Sequence, residues 1–275
     1  MRLKELIKQM ENKLNNIENY KTEVIYIIQS VLNVDKTYIV LNKEKEIECK
    51  DVDDIFKHAN ERLKGRPIQY VLNHQEFMSL DFYVKEGVLI PRQDTETIVE
   101  ELLKENLNDK KVLDLCCGSG AIGLSVKYYS KDAIVTLADI SDIAIEVTMK
   151  NAANLVSSNV EIIKTDLFTN IEGEFDIIVS NPPYIKEVEY NALDEIVLSN
   201  EPKLALYGGE DGLEFYKRII EGSKEYLIKE GKLYFEVGFN QAKEVTSILE
   251  KNGFINIEVI KDYTGKDRLV RARKI

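Results

Sequence analysis

Four consecutive residues, Asn181-Pro182-Pro183-Tyr184, have the chemistry of a receptor for an amine or a primary amide. They follow an apolar run typical of a buried strand, and two prolines cannot donate to a strand ladder, so the chain must leave the sheet there. The Asn181 carbonyl and a nearby main-chain carbonyl can accept both hydrogens of a planar –NH2 group, while the Tyr184 ring packs on its face. Only the nitrogen lone pair then stays free, which suits alkylation of a poorly nucleophilic nitrogen.

A second segment upstream has the features of a cofactor loop. The predicted strand Lys111–Leu115 is followed by Cys116-Cys117-Gly118-Ser119-Gly120 and then by an apolar helix. Open α/β sheets bind ligands at such strand ends, where backbone N–H groups are available. Cys116 stands where a dinucleotide fingerprint requires glycine, which disfavours a pyrophosphate but still allows close approach of an uncharged cofactor. A proline turn alone would explain Pro182-Pro183, but this loop and the flanking Asn181 and Tyr184 favour a receptor.

Carboxylates are predicted at two further strand ends. Asp139 ends the strand after the glycine loop and can hold both ribose hydroxyls of an adenosine. Asp166 offers an acceptor to an adenine amino group, and the following Leu167 and Phe168 offer apolar cover for the ring. Each aspartate alone could be an ordinary turn residue, but a series of polar side chains on consecutive strands, ending in Asn181, favours one shared site.

The sequence thus predicts a site for an adenosine that carries no phosphate, beside a receptor that leaves a nitrogen lone pair free. Together these two sites indicate S-adenosylmethionine as the cofactor. Its sulfonium makes the methyl group electrophilic without a metal. No strong general base is needed, because the nitrogen becomes acidic as it gains the methyl group and can release its proton late. The two histidines, His58 and His74, precede this region and are interpreted as surface or packing residues. No metal site is expected, and the three cysteines lack the spacing of a metal knuckle or a disulfide framework.

Composition and charge narrow the function classes. The 275 residues are 44% hydrophobic and 31% charged with a net charge of −11, as in a soluble globular protein. Residues 91–275 carry 23 basic and 33 acidic side chains, a net charge near −10 and a poor surface for a phosphate backbone. The first residues are typical of an amphipathic helix and not of a signal sequence, and no apolar run is long enough to cross a bilayer. We therefore expect a cytoplasmic protein.

The elements that position these residues fall into three segments. Helical periodicity predicts a small helical domain over residues 1–73, for packing or for docking a partner, and residues 74–90 predict a β-hairpin linker. Alternating strands and helices in residues 91–275 predict an α/β domain of about seven strands, mostly parallel, with one reversed at the end. The expected strands are 111–115, 133–139, 160–165, 175–181, 232–237, 254–260 and 268–274. Residues 185–212 are expected to form a loop.

With these motifs in place, the chain resembles the HemK/PrmC family, the N5-glutamine methyltransferases that modify peptide chain release factors. The matching segments cover nearly the whole chain. They are Gly65 to Leu72, Leu89 to Glu96, Asp114 to Ala121, Val179 to Ile185, Glu201 to Leu206, Gly208 to Leu213 and Gly265 to Arg268. The Asn-Pro-Pro-Tyr motif alone is shared with DNA adenine methyltransferases and others, but the combination is specific.

The resemblance implies a seven-stranded Rossmann-like class I methyltransferase domain behind a helical substrate-docking domain. It implies cofactor contacts at Cys116 to Gly120, Asp139, Leu167 and Asn181, and glutamine binding by Asn181 to Tyr184. The target would be the glutamine of the Gly-Gly-Gln loop of bacterial class 1 release factors, and S-adenosylhomocysteine would be the product. Cys116-Cys117 replace the family's usual Gly-Thr, and Tyr207 stands where Asp is common. Cys116 is expected to tighten the turn or alter the affinity for the cofactor without abolishing binding.

Three alternatives remain at this stage. A DNA amino-methyltransferase could use the same receptor for adenine, but it would need a basic face or a large recognition insert. A ribosomal-protein glutamine methyltransferase would share the catalytic motif, and the match outside that motif favours release factors. A non-catalytic module that binds S-adenosylmethionine is disfavoured by the intact Asn181 to Tyr184. We expect a monomer that binds release factors, with no direct nucleic-acid or membrane partner.

Overall fold

The structure is a computed structural model that describes residues 1–157 and 159–275. The chain forms two compact units, Met1–Asn73 and His74–Ile275. Each unit has its own buried core, and the candidate site residues all lie in the second. None of the helices in the described ranges is both long enough and apolar enough to span a membrane.

The first unit is a small bundle of α-helices. Their bounds are α1 Leu3–Leu14, α2 Tyr20–Leu32, α3 Lys36–Leu41, α4 Cys49–Leu63 and α5 Ile68–Leu72. Apolar residues at helical spacing, such as Leu6, Met10 and Ile27, form the core of the bundle. A half-buried ion pair links two of its helices, with Arg62 Nε 2.7 Å from Glu23 Oε2. The short helix α5 was not predicted; it begins directly after Pro67, whose fixed φ suits a helix start.

The second unit begins with a short hairpin and a capped helix. Strands β1 (Gln75–Phe77) and β2 (Leu80–Phe82) pair antiparallel. A 3₁₀ turn at Gln93–Thr95 then leads into helix α6 (Glu96–Leu102). Phe77 and Phe82 meet edge to face with ring centroids 5.9 Å apart, and both belong to the buried core. The hairpin is therefore packed into this unit by its apolar face.

A seven-stranded sheet forms the centre of the second unit. Its strands are β3 Lys111–Leu115, β4 Ile134–Asp139, β5 Glu161–Lys164, β6 Phe175–Ser180, β7 Leu227–Glu236, β8 Ile255–Lys261 and β9 Asp267–Arg273. They lie in the order β5-β4-β3-β6-β7-β9-β8, and β9 is the strand that runs opposite to the other six. The predicted fold class, including the single reversed strand, is confirmed. Strands β3, β4 and β6 are adjacent and parallel, so their carboxyl ends share one edge.

Helices cover both faces of this sheet. They include α7 (Ala121–Tyr129), α8 (Asp142–Leu155), α12 (Glu214–Tyr226) and α13 (Ala242–Lys251). Successive residues of β3 point to opposite sides: Val112 belongs to the core on the α6 and α7 side, and Leu113 to the core on the α12 and α13 side. A strand buried on both faces reads as a continuous apolar run, which is why β3 and β6 were recognisable from sequence.

Two regions differ from the sequence prediction. Strand β7 begins at Leu227, although the sequence predicted a start at 232, because the pairing with β6 jumps from Phe175–Leu227 to Ile177–Lys232. The extra residues are accommodated by a bulge in which Glu230 has φ +66°. Residues 185–212, predicted to be a loop, contain three short helices: α9 Glu187–Tyr190, α10 Glu195–Asn200 and α11 Lys203–Leu206. Their short lengths left too little periodicity to detect.

Candidate active site at the carboxyl edge of the sheet

The glycine loop between β3 and α7 is built from left-handed backbone. Cys116, Gly118 and Gly120 have φ values of +60°, +58° and +79°. Glycine adopts these values without strain, whereas Cys116 accepts a conformation that an L-residue disfavours by about 1–2 kcal/mol. The Cys117 amide donates to the Ala138 carbonyl at 3.1 Å, which ties the loop to the neighbouring strand. The loop thus turns sharply at the sheet edge, and its Cys117 and Gly120 amides are bonded within the protein, although the sequence predicted free N–H groups there.

Helix α8 holds the same loop from the side. The Asn151 amide donates to the Ser119 carbonyl at 2.9 Å, and the Thr148 hydroxyl donates to the Gly118 carbonyl, also at 2.9 Å. Asn151 is fully buried and also bonds the main chain of Tyr83 in both directions. These two side chains were missed in the sequence, because a polar residue in a helix gives no sign of whether it faces a loop or solvent.

Asp139 stands where β4 ends, as predicted. Its Oδ2 accepts from the Gly118 amide and its Oδ1 from the Ser141 amide, both at 2.9 Å. The carboxylate is thereby fixed against the glycine loop, and each oxygen keeps a lone pair for a ligand. Burial raises the pKa of Asp139 above its ordinary value, while its backbone hydrogen bonds act in the opposite direction.

A second carboxyl group lies deeper beneath the loop. Asp114 is completely buried and its Oδ2 accepts from the Gly123 amide at 2.8 Å, near the start of α7. Burial, reinforced by the charge of Asp139, raises the pKa of Asp114 to about 7. Burial also raises the pKa values of Cys116 and Cys117, so both thiols stay protonated at neutral pH.

The Asn-Pro-Pro-Tyr segment leaves β6 at the same edge. Ser180, the last residue of β6, donates its hydroxyl to the Leu115 carbonyl at 2.8 Å and so joins the ends of β6 and β3. The chain then packs against two glycines, Gly208 and Gly212. A Cβ on Gly208 would lie 2.6 Å from Tyr184 Cα, and one on Gly212 would lie 2.5 Å from the Tyr184 oxygen. Only glycine fits at these two positions.

Gln241 holds the end of this segment with all of its polar atoms. Its Nε2 donates to the Tyr184 carbonyl at 2.9 Å and to the Gly212 carbonyl at 3.2 Å. Its Oε1 accepts from the Gly238 amide at 3.2 Å. The side chain is 2% exposed, so water does not compete for these bonds. Sequence reasoning missed Gln241, which lies 57 residues beyond Tyr184 and follows no recognisable local signal.

Asp166 is engaged by a partner that the sequence did not reveal. Both of its carboxylate oxygens accept from Arg218 Nη2 on α12, at 2.8 and 2.9 Å. Leu167 follows in the left-handed region at φ +48° and is buried. Phe168, which the sequence suggested as cover for a ring, instead stacks on Tyr226 with ring centroids 4.7 Å apart.

These elements surround one cavity of about 340 Å³, within the range of small-molecule sites. Nine of the predicted site residues line it: Cys116, Cys117, Gly118, Ser119, Asp139, Asp166, Leu167, Asn181 and Pro183. Gly120, Pro182 and Tyr184 lie outside the lining. The sequence did not predict several further lining residues: Leu89, Arg92, Ile140, Leu204, Phe215 and Arg218. In the described residues no cluster of His, Cys, Asp and Glu side chains is arranged to hold a metal ion.

The cavity fits S-adenosylmethionine by the chemistry of its lining. A fixed carboxylate at Asp139 suits a pair of ribose hydroxyls, and the apolar side chains of Leu167, Ile140 and Phe215 suit the faces of a purine. The close backbone of the glycine loop leaves room for an uncharged linker between them. Asn181 lies in the same lining, so a cofactor here would reach the Asn-Pro-Pro-Tyr segment.

Comparisons with known proteins agree with this arrangement. Residues 92–210 match the methyltransferase small domain, and residues 5–72 match the PrmC N-terminal domain. A methyltransferase structure from Pyrococcus furiosus superposes with a TM-score of 0.56 at 19% identity, covering 79% of this chain and 98% of that one. The ribosomal protein L11 methylase of Lactobacillus delbrueckii gives 0.50 at 20% identity, over 73% and 90%. The fold and the site define a class I S-adenosylmethionine-dependent methyltransferase.

Curated relatives are similar over almost the entire chain. The release factor glutamine methyltransferase of Clostridium acetobutylicum is 46% identical over 266 residues, which are 94% of this chain and 93% of that protein. Its counterpart from Clostridium botulinum is 40% identical over 268 residues, 95% of each chain. The chain belongs to the release factor glutamine methyltransferase family.

The Gln241 contacts predict a loss of stability on truncation. Gln241→Ala leaves two carbonyls and one amide without partners in a buried position, so we expect the free energy of unfolding to fall by about 2–4 kcal/mol. Urea denaturation followed by circular dichroism measures this. Gln9→Ala, at an exposed position of α1, is the matched control and should change stability by less than about 0.5 kcal/mol. Equal effects of the two substitutions would contradict the assigned contacts.

The buried carboxyl of Glu236, at the end of β7, predicts a pH-dependent stability difference. Burial raises the pKa of Glu236 from 4.5 to about 7. The folded state therefore holds this proton more tightly than the unfolded state, and wild-type stability is lost as the pH rises from about 4.5 through about 7. Glu236→Gln lacks this loss, so we expect it to exceed wild type by about 3 kcal/mol at pH 8.

The Glu236 measurement is urea denaturation of both proteins between pH 5 and pH 8.5. The difference should shrink towards pH 5, where Glu236 is protonated in the wild-type protein. A stability difference that stays constant over this range would show that Glu236 keeps an ordinary pKa.

Proposed function

We propose that this protein transfers a methyl group from S-adenosylmethionine to the side-chain amide nitrogen, N5, of the glutamine in the Gly-Gly-Gln motif of bacterial class 1 peptide chain release factors. The observation that carries the proposal is the Asn181 to Tyr184 segment at the end of β6, with Asn181 and Pro183 lining the cofactor cavity. Curated relatives that match over 93% and 95% of their own length, at 46% and 40% identity, are named for this activity.

Cofactor binding is assigned to residues at three strand ends. The Asp139 carboxylate would accept the ribose hydroxyls, and the glycine loop from Cys116 to Gly120 would pass close to the methionine portion. Leu167 would cover the adenine, and Asp166 would accept its amino group while staying paired with Arg218. When bound, S-adenosylmethionine supplies an electrophilic methyl group. Asn181 contributes to both sites, since it borders the cavity and begins the amide receptor.

The amide receptor works by orientation. Asn181 and a main-chain carbonyl of the two prolines would accept both amide hydrogens, which leaves the lone pair directed towards the cavity, and the Tyr184 ring would fix the plane. Pro182 and Pro183 have no backbone donors that could compete for those acceptors. The amide nitrogen gains the methyl group as the bond from sulfur to that methyl breaks, and its released proton passes to water.

The remaining assignments follow from this reaction. Residues 1–73 would dock the release factor, residues 74–90 would link the domains, and residues 91–275 would carry the methyltransferase. The net charge near −10 of residues 91–275 supports a protein substrate and not free nucleic acid or a membrane surface. A monomer in the cytoplasm, where translation takes place, is sufficient for the reaction.

The decisive experiment is a methyl-transfer assay with labelled S-adenosylmethionine and purified, unmodified release factor. We expect label in the release factor and none in a variant whose Gly-Gly-Gln glutamine is changed to alanine. Label in both proteins would place the methyl group at another residue. No label in either, with the cofactor still bound, would overturn the proposal and favour a ribosomal-protein glutamine first and a non-catalytic module second.

Two substitutions should separate cofactor binding from catalysis. Asp139→Ala removes charge-assisted hydrogen bonds to the ribose, so we expect the binding free energy of S-adenosylmethionine to weaken by about 1–3 kcal/mol. Asn181→Ala should leave that binding largely intact and lower kcat by about ten-fold or more, because the lone pair loses its orientation. Isothermal titration calorimetry and the methyl-transfer assay measure the two effects.

Asp132, exposed just before the amino end of β4, provides the control. Asp132→Ala should alter neither quantity, since it lies at the opposite end of the strand from Asp139. An unchanged dissociation constant in Asp139→Ala, or unchanged turnover in Asn181→Ala, would remove the corresponding role.

A further inference from the structure

A buried carboxyl group lies behind the amide receptor. Glu236 is the last residue of β7 and is 3% exposed. Its main-chain carbonyl accepts from the hydroxyl of the buried Tyr216 at 2.8 Å, and β7 pairs it with Leu269 of β9. The position of the side chain is therefore set by the sheet and by helix α12, and not by a mobile loop.

The ionisable groups around this carboxyl and around its arginine neighbour come from four other parts of the chain. The Tyr184 hydroxyl points at Glu236 Oε1 from 3.5 Å. Arg268 on β9 and Asp94 from the 3₁₀ turn both act on the Glu236 charge. Arg268 is already shared, since its Nη2 lies 2.8 Å from Asp94 Oδ2 and 3.2 Å from Asp262 Oδ2. One guanidinium thus faces three carboxyl groups, and the Glu236 charge is only partly compensated.

The other oxygen of this side chain makes the charge costly. Within the described ranges, Glu236 Oε2 is buried, and the neighbouring Thr95 hydroxyl lowers the pKa of Glu236 by less than burial raises it. A glutamine of the same shape would avoid the cost of burying a charge. What a carboxylate adds is a stronger acceptor for the Tyr184 hydroxyl, because hydrogen bonds to ionised groups are about twice as strong as neutral ones.

We infer that Glu236 is a positioning residue for methyl transfer, whose carboxylate accepts a hydrogen bond from the Tyr184 hydroxyl and so fixes the Asn181 to Tyr184 segment, and whose protonation loosens that segment. The inference rests on the proposed function, because it assumes that this segment receives the target amide. Gln241 already fixes the Tyr184 main chain. Glu236 would fix the hydroxyl end of its ring, whose apolar part packs against the core on the α12 and α13 side.

The inference gives the methyl transfer a pH dependence of defined sign. Since burial raises the pKa of Glu236 to about 7, the carboxylate is present mainly above neutral pH. The active arrangement should therefore gain population as the pH rises through about 7, while the stability of the fold decreases over the same range. A residue with a merely structural role would move activity and stability in the same direction.

The first test compares kcat/KM of wild type and Glu236→Gln between pH 6 and pH 8.5. We expect wild type to rise by roughly five-fold through neutral pH and Glu236→Gln to stay at the low-pH level, as expected when a charge-assisted bond is replaced by a neutral one. Tyr184→Phe should remove the rise as well. Glu250→Gln, an exposed substitution on α13, should behave like wild type. The same rise in Glu236→Gln would overturn the inference.

The second test needs no substrate. In protein labelled with [ζ-13C]tyrosine, the Tyr184 signal is identified among the 14 tyrosines by its absence in Tyr184→Phe. It should shift with a single inflection near neutral pH in wild type and stay constant in Glu236→Gln. A Tyr184 signal that shifts in both proteins, or in neither, would overturn the inference. Wild type that methylates no release factor would refute the proposed function, and the Tyr184 signal would still decide whether the carboxylate holds this ring.

Discussion

The structure depends on a single edge at which three neighbouring parallel strands end. Strands β3, β4 and β6 are adjacent, so the glycine loop, Asp139 and Asn181 are brought together although 65 residues separate the ends of β3 and β6 along the chain. Parallel pairing is what makes this possible, because all three carboxyl ends then face the same way. The two prolines after Asn181 decide where the chain leaves the sheet. They cannot donate hydrogen bonds to a neighbouring strand, so the chain must turn out of the sheet there.

Charge is buried at this edge to an extent that the fold alone does not require. Asp114, Asp139 and Glu236 all lose solvent, and burial raises the pKa of each. Apolar residues of similar volume are often as stabilising or more so at such positions, because desolvating a carboxylate is costly. The two large apolar clusters on the faces of the sheet provide the hydrophobic stabilisation that opposes this cost.

The sequence alone predicted the architecture and much of the candidate site, but it did not predict the contacts between distant side chains. Buried parallel strands such as β3 and β6 appear as continuous apolar runs in the sequence. A polar residue that ends such a run is therefore expected at the edge of the sheet. Contacts between distant side chains leave no such trace. Nothing near Gln241 indicates that it binds the Tyr184 carbonyl, and nothing near Arg218 indicates that it pairs with Asp166.

The same limit applies to the elements that differed from prediction. The early start of β7 depends on a bulge at Glu230, and a bulge is decided by the partner strand and not by local propensity. The helices of residues 185–212 have only four to six residues each, which is below the length at which helical periodicity is informative. In both cases tertiary context decided the conformation.

The two adjacent free thiols of the glycine loop could in principle be alkylated by the cofactor itself. A methyl donor that can alkylate an amide will alkylate a thiolate far more readily, and Cys116 and Cys117 both line the cavity proposed to bind that donor. Only the ionised sulfur is a strong nucleophile, and burial keeps these two groups protonated. Burial of these two thiols therefore disfavours alkylation of the protein by its own cofactor.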